Sequence, residues 1–126
     1  MNLLLRLGTS IVVLALVSYS VAIITEQRKK VISKTVLWFL TLGVCLDITA
    51  TTFMILGSAK GGFTIHGFIG YSSLIAMFID AVLIWRQKSK TGINSAVPKS
   101  LHLYSRYAYI WWVLAFITGG LLVALR

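Results

Sequence analysis

The chain has 126 residues, 58% of them apolar and 12% charged, with a formal charge of +9 from 12 Lys and Arg against 3 Asp and Glu. Mean hydropathy is +0.89, and a soluble domain carries about twice that charged fraction, which excludes a water-soluble globule. The single cysteine, Cys45, excludes an intramolecular disulfide.

Four apolar stretches follow in order, about Leu3–Ile24, Val36–Leu56, Phe63–Trp85 and Leu101–Leu125. A helix needs roughly 20 residues to cross the hydrocarbon of a bilayer. Backbone polar groups in lipid must be satisfied internally, so each stretch is predicted to be a helix. The first, with Arg6 near its start, is too long for a secretory leader and lacks a clean small-x-small site before the basic cluster. It is read as a span. Arg28, Lys29, Lys30 and Lys34 fill the first connection. The second connection, Gly57 to Gly62, reads as a tight turn and carries Lys60. The third, Gln87 to Ser100, carries Arg86, Lys88, Lys90 and Lys99 in or beside it, with Gly92, Asn94 and the only proline, Pro98. That composition predicts a loop, with Ser100 as the N-cap of the fourth helix.

Short Lys/Arg-rich loops stay cytoplasmic, so the first and third connections are predicted to face in and both termini out. The expected fold is an all-α, integral membrane four-helix bundle in a single domain. It is multi-pass, in the cytoplasmic (inner) membrane. The basic residues then face anionic headgroups, and membrane lipids rather than nucleic acid are the expected counter-charge. Trp38, Trp85, Trp111 and Trp112 read as interface or packing aromatics, and Cys45 as packing.

Ionisable residues inside a span are costly and mark candidate sites. In the third stretch His66, Gly70, Ser73, Met77 and Asp80 fall on one helical stripe predicted to face the bundle. Asp80 and Arg106 match in depth and form a candidate ion pair. Alternatively Arg106 holds a ligand carboxylate or snorkels to the headgroups. Asp47, near the middle of the second stretch, is a proton or ion site, or an acid bonded to a hydroxyl on another helix. The two histidines fall at opposite membrane faces, too far apart to share one iron, whose axial ligands lie within about 4 Å of each other. They belong to separate sites if both bind metal.

At the outer face His66 and Met54 reach a similar depth, and His/Met is an axial pair for haem iron. Gly70 leaves room for a flat macrocycle, and Arg6 is a candidate propionate partner. At the inner face His102 and Arg106 share a helix face, with Tyr109 following. These pairings suit haem without being specific to it. The metal candidates are thus His66, His102 and Met54, with His66 first. Its second ligand would be Met54 or another His66 across a homodimer axis.

The third-span sequence IHGFIGYSSLIAMFIDAVLIW and the fourth-span LHLYSRYAYIWWVLAFITGG resemble the small bacterial heme-sensing membrane protein (HsmA) family, as do the length and four-span layout. That resemblance implies a membrane protein that binds haem b, buffers it and lessens oxidative stress, without a defined catalytic cycle. It implies His66 and His102 as ligands and Arg106 as propionate partner. Electron transfer through the haem is a related expectation. The alternatives are a small proton-coupled exporter, weakened by the lack of a carboxylate within the first stretch, and an accessory membrane subunit. Three acids scattered in depth offer no paired carboxylates for catalysis.

Overall fold

The structure is a computed structural model that describes residues 3–57 and 65–124, with the backbone alone at 5, 57, 65–66 and 120–124. It is all-α: α1 (Leu3–Lys29), α2 (Lys34–Gly57), α3 (Ile65–Thr91) and α4 (Lys99–Ala124). Within α1, α2 and α3, the segments Arg6–Lys29, Lys34–Leu56 and Gly67–Thr91 are long and apolar enough to cross a membrane.

The helices run up and down in chain order, each packed on its neighbours, with α4 returning to α1. The α1–α2 interface is the most extensive, and two glycines explain how the backbones approach so closely. A Cβ on Gly8 would lie 2.8 Å from Met54 Cγ and 3.1 Å from the Ala50 carbonyl oxygen; one on Gly43 would lie 2.5 Å from the Tyr19 ring. The core gathers Ala15, Tyr19, Leu40, Met77, Ile84 and Trp112 from all four helices. Large apolar residues such as Leu14, Trp38, Phe78 and Leu114 face outward. That arrangement, apolar outside as well as inside, is what lipid demands.

Two helices run further than their apolar stretches suggest. α1 continues to Lys29 and α3 to Thr91, because Arg, Lys and Gln are good helix formers whose side chains reach the headgroup region. Each ends on a left-handed residue that turns the chain. Lys30 (φ 56°) donates its N–H to the Glu26 carbonyl at 2.7 Å, and Gly92 (φ 88°) donates to that of Lys88 at 2.7 Å. The expected loop Gln87–Ser100 therefore shrinks to the stretch between Thr91 and Lys99. Ser100 is not the N-cap of α4. The first intrahelical bond runs from His102 N–H to the Pro98 carbonyl at 2.9 Å, so Pro98 holds that position. The cap expected there appears instead on α2, where Ser33 Oγ accepts from Val36 N–H at 3.3 Å.

The first and third connections pair with each other. Val31 and Ala96 form an antiparallel bridge, with Ile32 N–H to Ser95 O at 2.9 Å, Asn94 N–H to Ile32 O at 2.7 Å and Val97 N–H to Lys30 O at 2.9 Å. Two chain segments rich in Lys and Arg are thereby held at one end of the bundle, hereafter the basic end. Ser58–Gly62, the expected turn at the other end, lies outside the described residues.

Candidate functional site

All three acidic side chains of the chain point inward. Glu26 and Asp80 are fully buried and Asp47 is 4% exposed. They come from three different helices, and the fourth supplies a partner for each. His102, Ser105, Tyr109 and Trp112 recur at i, i+3, i+7 and i+10, one face of α4. His102 Nδ1 lies 2.9 Å from Glu26 Oε1 of α1. Ser105 Oγ donates to Asp80 Oδ1 of α3. Trp112 Nε1 donates to Asp47 Oδ2 of α2 at 2.8 Å, and Tyr19 O–H donates to the same oxygen at 3.0 Å. Tyr109 and Ser20 hydroxyls meet at 2.7 Å. At ~1.5 Å per residue, this polar line covers roughly 15 Å of α4.

The cluster at the basic end has the richest chemistry. Gln27 Nε2 donates to Glu26 Oε2 at 2.6 Å and to the His102 carbonyl at 3.0 Å. Arg106 Nε donates to Gln27 Oε1 at 2.9 Å, and Arg106 Nη2 lies 3.4 Å from His102 Nε2. With Nδ1–H donated to the Glu26 carboxylate, the lone pair of Nε2 is turned toward the exposed Arg106. The imidazole is thus held by Glu26 at one nitrogen and faces Arg106 at the other. Neither Glu26 nor Gln27 was singled out by the sequence as a site residue, since Glu26 lies just past the first apolar stretch, beside Arg28. The signal for it is the helical period: Ala15, Ser18, Tyr19, Ala22, Ile23 and Glu26 form one buried stripe of α1.

The expected Asp80–Arg106 ion pair is absent. Ser105, the residue before Arg106, meets Asp80, and one residue turns a helix by about 100°. Arg106 consequently faces α1 and Gln27. Asp80 Oδ2 has no hydrogen-bond partner among the described residues. Asp47, for which two readings stood, bonds a hydroxyl on another helix, that of Tyr19. Trp112 is more than a packing aromatic, and Cys45 is exposed rather than packed.

The predicted stripe on α3 faces inward where its side chains are described: Ser73 is 2% exposed, while Met77 and Asp80 are fully buried. A Cβ on Gly70 would meet nothing within 4 Å. His66 belongs to the first turn of α3, and its side chain lies outside the described residues. Met54 sits over Gly8 of α1, and Arg6 is exposed near the start of the same helix. Because α3 and α4 are antiparallel, His66 and His102 begin their helices at opposite ends of the bundle. Among the described residues no three His, Cys, Asp or Glu side chains gather as for a bare metal ion.

These features define a multi-pass helical membrane protein with a polar interior. Comparison with protein-family models, with curated proteins and with solved structures finds no match.

Proposed function

We propose that the chain is a haem-binding protein of the bacterial cytoplasmic membrane, with α4 as a fourth span and both termini outside the cytoplasm. It holds haem b between its helices and acts in haem buffering and oxidative-stress protection, or passes electrons through the haem. The observation that carries this reading is the buried contact between His102 Nδ1 and Glu26 Oε1, 2.9 Å. A carboxylate on the far nitrogen is the usual way to orient a histidine and raise its basicity toward a metal at Nε2. The exposed Arg106 beside Nε2 would suit a propionate of a haem held there. Bound haem would supply one-electron chemistry at iron. The resemblance to the heme-sensing family points the same way. His102 takes precedence over His66 on this geometry. His66, with Met54 or a second subunit's copy of itself, remains the ligand set for an outer site flanked by Gly70 and Arg6.

The test is an absorption spectrum of purified protein loaded with haem, oxidised and then reduced with dithionite. A Soret band with sharp reduced α and β bands is expected, and it should be lost at the basic-end site in His102→Ala. Glu26→Gln should weaken haem binding by about 10–100-fold, the usual effect of losing such a supporting carboxylate. Haem binding that is unchanged in both His102→Ala and His66→Ala would sink the reading.

A second reading, a small proton-coupled exporter, is favoured by one observation: the line of buried acids, with one oxygen of Asp80 unpartnered. In vesicles containing a pH-sensitive dye, proton movement that is present in the wild type and absent in Asp80→Asn would select it. An accessory-subunit role has no geometric feature in its favour.

A further inference from the structure

On the outside of the bundle, α2 and α3 leave a groove of about 630 Å³, within the ~300–1,000 Å³ range of ligand sites. Its walls are Cys45 and Ile48 from α2 and Phe78 and Val82 from α3, and Arg86 and Lys90 stand at its basic end. Ile48, Phe78 and Val82 are 44%, 50% and 42% exposed, so the groove opens away from the core, toward lipid in a multi-pass protein. Trp85 Nε1 donates to Thr41 Oγ1 at 2.8 Å and holds the two helices at this spacing. Arg86 and Lys90, one turn apart, also border a second cavity of about 440 Å³ on the α4 flank of α3, lined by Gln87, Ser100 and Tyr104.

No side-chain carboxylate is available to these two cations. The chain has three, and all are buried against other partners: Glu26 on His102, Asp47 on Tyr19 and Trp112, Asp80 on Ser105. The groove is therefore apolar along its length and carries uncompensated positive charge at one end. An occupant must be apolar over several ångströms and anionic at its tip. It must also reach the site from within the bilayer.

We propose that the α2–α3 groove seats one anionic phospholipid, an acyl chain lying along the groove and its phosphate on Arg86 and Lys90. The second cavity gives the headgroup room beside Ser100 and Tyr104. Basic pockets between membrane helices hold anionic headgroups by this combination of charge and lateral apolar contact. The inference rests on the membrane-spanning reading and is independent of haem.

The experiment is native mass spectrometry of the full chain, delipidated in a neutral detergent and titrated with phosphatidylglycerol or phosphatidylcholine of identical acyl chains. Phosphatidylglycerol should be retained preferentially. Arg86→Gln with Lys90→Gln should weaken its retention roughly 30-fold, the effect expected from removing two cations near the membrane surface, with phosphatidylcholine unchanged. Arg86→Lys with Lys90→Arg keeps both charges and should restore binding. Ile48→Trp should fill the groove and weaken both lipids. Equal retention of the two lipids, or indifference to the Gln variants, overturns the proposal. Glycerol 3-phosphate binding as tightly as the lipid overturns the role of the groove. Haem that displaces phosphatidylglycerol from the wild type and is itself excluded by Ile48→Trp reassigns the groove to haem.

Discussion

Trp112 and Tyr19 share one acceptor, Asp47 Oδ2, at 2.8 and 3.0 Å. Hydrogen bonds onto a carboxylate are worth about 1.5–3 kcal/mol in water-soluble proteins. Between membrane helices measured couplings average about 0.6 kcal/mol, because the separated helices also find partners. Asp47 is buried among Tyr19, Trp112 and apolar neighbours, so the upper part of the membrane range applies. Trp112→Phe and Tyr19→Phe should each lower stability by about 1–2 kcal/mol. The two rings also touch edge to face, centroids 4.9 Å apart. The double variant should accordingly depart from additivity in thermal melts in micelles; strictly additive losses would show that the two donors act independently. Asp80 should behave differently. Its bond with Ser105 survives in Asp80→Asn, where the amide oxygen still accepts, while the unpartnered second oxygen is replaced by a donor. A melting temperature at or above the wild type is expected, and a large drop would mean that Oδ2 has a partner that Asn cannot replace.

At the scale of helices, α1 and α2 lock through Gly43, whose missing side chain admits the Tyr19 ring. Gly43→Leu has no free volume to use and should cost about 1–3 kcal/mol, the usual effect of overpacking. Moving Tyr19 would also break its bond to Asp47, so the loss should be larger than that of Gly70→Leu, which faces open space. Comparable melting temperatures for the two variants would contradict the tight α1–α2 seam. Much of the helical layout was legible from hydropathy, because runs of about 20 apolar residues leave the chain few choices. The ends were less legible. Gln87 to Thr91 read as part of a loop by composition, yet in a membrane protein charged residues simply carry the helix out into the headgroups. Of the site, His102 and Arg106 were visible from their one-turn spacing, whereas the Glu26 partner was not. Pairing a residue of α1 with one 76 positions later depends on which helices become neighbours, and hydropathy is silent on that. The Asp80–Arg106 expectation matched depth along the membrane but ignored rotation about the helix axis. Ser105 took the place given to Arg106 for that reason.

Over the whole molecule the two signs of charge are separated. Acids line the interior, while the Lys and Arg side chains among the described residues lie at the surface and concentrate at the end where Val31 pairs with Ala96. If that end lies in the cytoplasm, cysteines at positions 30 and 88 in a Cys45→Ser background should resist an impermeant thiol reagent on whole cells, and one at position 60 should react. The opposite labelling would invert the molecule in its membrane. Cys45 is exposed, which makes it a suitable position to silence.

The dependence of every acid on α4 also has a consequence for the order of synthesis. Helices enter a membrane from the N-terminus onward, so Glu26, Asp47 and Asp80 reach the bilayer before His102, Ser105 and Trp112 have been made. Until the last helix arrives each lacks its α4 partner, and an acid near the centre of a span, as Asp47 is, costs about 2.5–3.5 kcal/mol there. α4 is therefore the piece that completes the others and the natural checkpoint for proteolysis. A chain stopped at Pro98 should be degraded faster than the full-length protein in pulse-chase labelling. Replacing its three acids by Asn or Gln should lengthen its lifetime, and equal lifetimes for the truncated chain with and without its acids would refute this account.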